Sequence, residues 1–196
     1  MHFVISKKVI RENSFLNFHV FGFDYLCIGK VNEWITRKLY FYLGDGSVPV
    51  VNPHDHRYSF RQTVLHGECT NLLYEESQNE SIPEYSRYLY RTPLNGGDGF
   101  EFDRKVRLRC TSQETYFKGD SWTELYNEIH TIKCKSGTIM LQEPTPDVIR
   151  EAPTKFYTME DAPPEKEPAL YRKPTDAEIF VLLNILSDAG HSFEMV

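Results

Sequence analysis

Asn52-Pro53-His54-Asp55-His56-Arg57-Tyr58-Ser59-Phe60-Arg61-Gln62-Thr63-Val64-Leu65-His66-Gly67 is the stretch on which the reading of this chain turns. In extended backbone, residues two apart point to the same side, about 6.6 Å apart along the strand. His54 and His56 can then bring their imidazoles to one ion at metal–nitrogen distances of about 2.1 Å. Asp55 faces the other way, so it suits fixing a turn better than joining the same ion. Two histidines alone also fit a solvated or hydrogen-bonded pair at a strand end.

The sequence on either side reads as β-structure. Between Val20 and about Gly137, short runs rich in β-branched and aromatic residues alternate with Gly, Asn and Asp. Leu39-Tyr40-Phe41-Tyr42-Leu43 is one such run, turned by Gly44-Asp45-Gly46. Thr63–Leu65 and Thr70–Tyr74 flank His66-Gly67, which suggests a hairpin there, and a second hairpin is expected around Asn95-Gly96. Many short strands at this spacing indicate an all-β sandwich or barrel and not βαβ units.

Beyond Pro144 the texture changes. Pro144, Pro146, Pro153, Pro163, Pro164, Pro168 and Pro174 block continuous helix and central strand alike, so 146–174 reads as a proline-rich arm. Thr175-Asp176-Ala177-Glu178 then forms a capping box, and Ile179, Leu182, Leu183 and Leu186 make one apolar helix face that stops near Gly190. The expected organisation is a β-domain over 1–145 with N-terminal strands, the arm over 146–174, and a helix over 175–190 belonging to the same domain.

Composition narrows the function. The 196 residues carry a formal net charge of −6, which argues against a nucleic-acid-binding face. Cys27, Cys69, Cys110 and Cys134 are far apart and include no Cys-x-x-Cys pair. Nothing approaches the ~20 apolar residues of a membrane span, and Met1–Lys8 lacks a signal peptide's apolar stretch. A cytoplasmic protein with free thiols is expected.

A second segment gives the histidine pair a partner: Gly119-Asp120-Ser121-Trp122-Thr123-Glu124-Leu125-Tyr126-Asn127-Glu128-Ile129-His130. Together the two segments resemble the signature motifs of the cupin superfamily. The first motif places a glycine eleven residues after the second histidine of His-x-His, as Gly67 follows His56; the second places one eleven before its histidine, as Gly119 precedes His130. Asn127 stands where the motif has a further glycine and is expected to take its left-handed turn. Leu125 replaces a proline. Phe60 occupies the place of the glutamate that ligates metal in many cupins.

The resemblance, over roughly residues 50–142, implies a double-stranded β-helix barrel with the C-terminal helix packed outside. It also implies a metal held by His54, His56 and His130. Three histidines without a carboxylate look most like the thiol dioxygenase branch, typified by cysteine dioxygenase, so Fe2+ is the implied cofactor, with Zn2+, Ni2+ and Mn2+ as alternatives. Gln62 would be a fourth ligand or orient substrate, and Trp122 would line the substrate mouth. The implied partner is a small polar molecule, a thiol among the candidates, and a homodimer fits because cupins often pair through N-terminal strands. Two other readings stand beside this one: a non-catalytic ligand-binding cupin, and a metal-independent sugar-nucleotide isomerase or epimerase. The last would need a neutral histidine base and a tyrosine acid, for which His66, Tyr74 and Tyr126 are candidates.

Overall fold

Alternation of large side chains along single strands explains the architecture. The computed structural model describes residues 1–31, 35–46, 49–91, 99–145, 153–163 and 170–196. In chain order the elements are β1 (His2–Ile5), α1 (Lys7–Asn13), β2 (Phe23–Lys30), β3 (Thr36–Tyr42), β4 (Phe60–His66), β5 (Glu68–Ser77) and β6 (Glu84–Arg91). They continue with β7 (Gly99–Phe117), β8 (Ser121–Glu124), β9 (Ile129–Cys134), β10 (Thr138–Pro144), β11 (Thr154–Thr158), α2 (Asp176–Asp188) and β12 (Ser192–Met195).

Two antiparallel five-stranded sheets dominate, in the orders β2-β3-β10-β4-β8 and β11-β6-β7-β5-β9, while β1 and β12 form a small parallel pair. The chain is thus mostly β, with two helices. The first sheet is buried on both faces, which is why β3 reads as an unbroken apolar run. Leu26, Leu39, Phe41, Ile139 and Leu141 point to a core shared with Ile179, Leu182, Leu183 and Leu186 of α2. Tyr25, Tyr40, Val64 and Met140 point the opposite way, to a core shared with Cys69, Ile132 and Cys134 of the second sheet. The helix therefore packs on the outer face of the first sheet, held at its start by the Thr175–Glu178 capping box. No helix among the described residues is long and apolar enough to cross a membrane.

Several local expectations change once tertiary pairing is visible. His66-Gly67 does not turn a hairpin: β4 lies in the first sheet and β5 in the second, so the chain crosses between sheets there. Gly67 takes φ +77°, and a Cβ on it would lie 2.7 Å from Thr138 Oγ1 and 2.9 Å from Thr138 Cα. Thr138 Oγ1 donates to the Glu68 carbonyl, which clamps that corner. Gly119, at φ +97°, carries the chain back from β7 to β8, but nothing lies within 4 Å of its absent Cβ. Asn127 does not adopt the left-handed conformation expected of it. Its turn is closed instead by the Glu128 N–H on the Leu125 carbonyl and by Glu128 Oε2 accepting from the Leu125 N–H.

The proline-rich segment is not simply an arm. Thr154–Thr158 is the edge strand of the second sheet, a position where flanking prolines cost no ladder bonds. Asp55, fully buried, fixes it: its N–H donates to the Lys155 carbonyl, and its Oδ1 accepts from the Lys155 N–H at 2.6 Å. Strands β6 and β7 do pair antiparallel, but the turn expected at Asn95-Gly96 lies outside the described residues. The N-terminus contributes a helix, α1, as well as a strand.

Replacing Gly119 by alanine should cost about 1–2 kcal/mol, the price of a left-handed alanine alone. Gly67→Ala should cost distinctly more, about 3 kcal/mol, because the same strain is joined by a clash with Thr138 backbone. Urea denaturation of the two variants checks this ordering, and equal losses would count against the corner clamp.

Candidate metal centre

The three histidines meet because a loop is laced to a strand. His130 is the second residue of β9, whereas His54 and His56 lie before β4 begins, outside any continuous strand. His54 and His130 form an isolated antiparallel bridge: the His54 N–H donates to the His130 carbonyl at 3.0 Å, and the His130 N–H to the His54 carbonyl at 2.9 Å. The same loop is tied on by the Val50 N–H to the Ile132 carbonyl, the His56 N–H to the Tyr126 carbonyl, and the Thr131 hydroxyl to the Val51 carbonyl.

The rings form a compact triangle. Centroids lie 4.7 Å apart for His54–His56, 4.9 Å for His56–His130 and 5.1 Å for His54–His130. One nitrogen from each falls within 4.8 Å of the others, and the His56 and His130 Nε2 atoms are 2.8 Å apart. Two nitrogens bound to one ion at ~2.1 Å and at right angles sit about 3 Å from each other, so the spacing suits a shared ion. This three-histidine group could hold a metal ion. An all-imidazole donor set accepts iron, zinc, nickel and manganese alike and does not choose among them.

The surrounding hydrogen bonds present the ligand nitrogens. His54 Nδ1 lies 2.9 Å from the Asn52 carbonyl, which can only accept, so the proton is on Nδ1 and Nε2 keeps its lone pair. His130 Nδ1 is 2.8 Å from Asn71 Oδ1 and 3.0 Å from Glu124 Oε2, again placing the proton on Nδ1. Asn71 Nδ2 and Trp122 Nε1 donate to that same Glu124 oxygen at 2.9 and 3.2 Å. Glu124 is fully buried, and among the described residues its other oxygen, Oε1, has no hydrogen-bond partner. Such a group is expensive to keep dry, and the His130 arrangement gives it a purpose. Phe60 packs edge-on against His56, with centroids 4.7 Å apart, so an apolar wall stands where a carboxylate ligand was sought.

Burial, reinforced by the neighbouring imidazoles, holds the pKa values of His54 and His56 well below the usual histidine value. Both rings are therefore neutral, as ligands must be. His19 is also drawn in: its ring centroid lies 6.5 Å from that of His54, and burial with the charge of Lys38 lowers its pKa to about 4. The Tyr171 hydroxyl meets His19 Nδ1 at 2.7 Å. His19 and Tyr171 are both left-handed, at φ +70° and +57°, so the pair is held against backbone strain of about 1–3 kcal/mol per residue.

These groups open on one cleft of about 860 Å³. Gln62 and Trp122 both line it; Trp122 is also stacked on Tyr116 at 4.4 Å and so is part wall, part support for Glu124. Tyr90, Phe100 and Phe156 form another wall, with centroids 4.6 and 5.0 Å apart in sequence. Lys38 reaches in from β3. Burial opposes its charge, but the oxygens of Tyr40, Tyr58 and Tyr25 outweigh this and raise its pKa.

The other histidines lie elsewhere. His66 is exposed, and neither it nor Tyr74 nor Tyr126 lines the cleft. His191 turns its Nδ1 to the Met1 amino group at 3.1 Å. All four cysteines are unbridged, with Cys69 and Cys134 facing each other across β5 and β9, Sγ to Sγ 3.3 Å. Compared with known proteins, the chain matches no family model and no curated protein.

Glu124→Gln should weaken metal affinity about 10–100-fold with all three histidines intact, as measured by chelator competition. The depressed histidines also predict a pH dependence for the metal-free protein. In the unfolded chain these rings take up protons near pH 6.5, whereas the folded protein resists until about 4 at His19. Stability is then complete above about pH 6.5 and falls as pH drops from there toward 4. His19→Asn, which tolerates the left-handed backbone, should flatten that decline in thermal melts recorded across the window.

Proposed function

We propose that this chain is a cupin-type mononuclear metalloenzyme, with its two sheets closed as a barrel around the cleft and a ferrous ion on His54, His56 and His130. Within that class we read it as a dioxygenase acting on a small organic substrate. The observation that carries this reading is the convergence of three imidazoles backed by Glu124 and Asn71. A ferrous ion there would bring redox chemistry with O2 beside a bound substrate; zinc, nickel or manganese would supply a Lewis acid instead.

The chain's own contributions follow from geometry. As ligands, the three imidazoles would contribute no charge, leaving that of the ion undiminished. Glu124 and Asn71 hold the His130 ring and its tautomer. Phe60 excludes water from one side of the triangle. Tyr171 and His19 hold a proton between oxygen and nitrogen on the rim of the same cleft. That pair also favours a second reading, metal-independent acid–base chemistry of the isomerase or epimerase kind, with His19 as base and Tyr171 as acid.

Protein purified anaerobically and loaded with ferrous iron should hold one ion per chain by elemental analysis. His130→Ala should reduce this to background while shifting the melting temperature only modestly. Unchanged metal content in that variant would overturn the centre. Substrate turnover that persists after exhaustive chelation would favour the His19–Tyr171 reading over the oxygenase.

A further inference from the structure

Strand register sets a row of side chains along the cleft face of the first sheet. Lys38 on β3 lies opposite Gln142 on β10, Gln142 opposite Gln62 on β4, and Gln62 opposite Trp122 on β8. All four line the cleft that contains the three histidines. With adjacent strands ~4.8 Å apart, the row runs about 14 Å, from an ammonium to the indole that supports Glu124.

Lys38 is the member that the metal centre does not account for. Its Nζ donates to the Tyr58 hydroxyl oxygen at 3.3 Å and lies 5.1 Å from the ring centre of Tyr25 and 5.9 Å from that of Tyr40. These partners are neutral. They orient the ammonium, as does the ring of Phe18 at 5.9 Å, but a phenol and three ring faces do not cancel a net charge withdrawn from water. Among the described residues no carboxylate pairs with Lys38; of the two acidic residues that line the cleft, Asp55 turns its carboxylate away to Lys155 and Glu12 is exposed beside Lys173. The charge reaches across the site, where it acts on His19 and His56. In a chain of net charge −6, this cleft is therefore a local positive well.

We propose that the cleft binds an organic carboxylate with a flat apolar body. Its carboxylate sits on Lys38 and the amides of Gln142 and Gln62, and its body lies against Tyr25 and Tyr40. As a substrate class this rests on the reading of the three-histidine group as the reactive centre, which the far end of such a molecule would approach. The aromatic walls give a ring more contact than a small hydrophilic thiol can use, so they select for the larger anion.

Titration calorimetry with 3-phenylpropanoate and its neutral amide, on metal-free and on zinc-loaded protein, tests this. The carboxylate should bind about 10-fold or more tightly than the amide in both states. Lys38→Met should abolish that preference, and Lys38→Arg should keep part of it, with zinc stoichiometry unchanged in both. If Lys38→Met fails to melt cooperatively by circular dichroism, Lys38→Gln takes its place. A preference that survives loss of the charge, that is missing from the unaltered protein, or that requires zinc would overturn the assignment. Carboxylate binding through Lys38 in a chain that takes up no zinc would uphold the anion site while removing the metal centre.

Discussion

Two backbone hydrogen bonds between His54 and His130 are the constraint on which the rest of the site depends. They make a loop residue and a strand residue behave as cross-strand neighbours, although 76 positions separate them in the chain. Once that pair is made, His56 follows two residues on, and its own N–H on the Tyr126 carbonyl fixes the angle of approach. Asp55, between them, points outward and anchors β11. One tripeptide thus supplies two of the three donors and sews the edge of the second sheet to them. The alternation that separates these two duties is a property of extended backbone, and no continuous strand is required for it.

The electrostatics of the cleft rest on division of labour between strands. Three imidazoles converge at one end, with the buried side chain of Glu124 placed behind them and not among them. At the other end stands Lys38, which pairs with no carboxylate among the described residues and donates to the Tyr58 hydroxyl. Between the two lie amides, phenols and rings, groups that can direct a ligand without adding charge.

How much of this was legible in the residues varies with how local the cause is. The α2 boundaries followed from Thr175, Glu178 and four apolar positions, because capping and helical periodicity are settled within one turn. Gly67 and Gly119 were legible as turn residues from their spacing to His56 and His130. Which sheets those turns join was not, since β4 finds its partners in β10 and β8, far along the chain. The hairpin expected at His66-Gly67 failed for that reason. Asn127 followed the motif's position and not its backbone geometry. Glu124 and Asn71 escaped notice because each is an ordinary polar residue on its own strand, and only the meeting of two sheets brings them to His130. The edge strand at Thr154–Thr158 was hidden by flanking prolines and by a partner, Asp55, a hundred residues earlier. Lys38, with Arg37, Arg57 and Arg61, reads in sequence as surface charge that could at most gather an anion near the mouth, and only the register of β3 shows that it lines the cleft.

The wall made by Tyr90, Phe100 and Phe156 has a wider consequence. These rings stand on β6, β7 and β11, three adjoining strands at one side of the second sheet, none of which supplies a histidine to the centre. On the proposed reading, reactivity and molecular discrimination belong to separate parts of the chain. Lineages descended from such a scaffold would be free to diversify in what they admit while leaving untouched what they do to it.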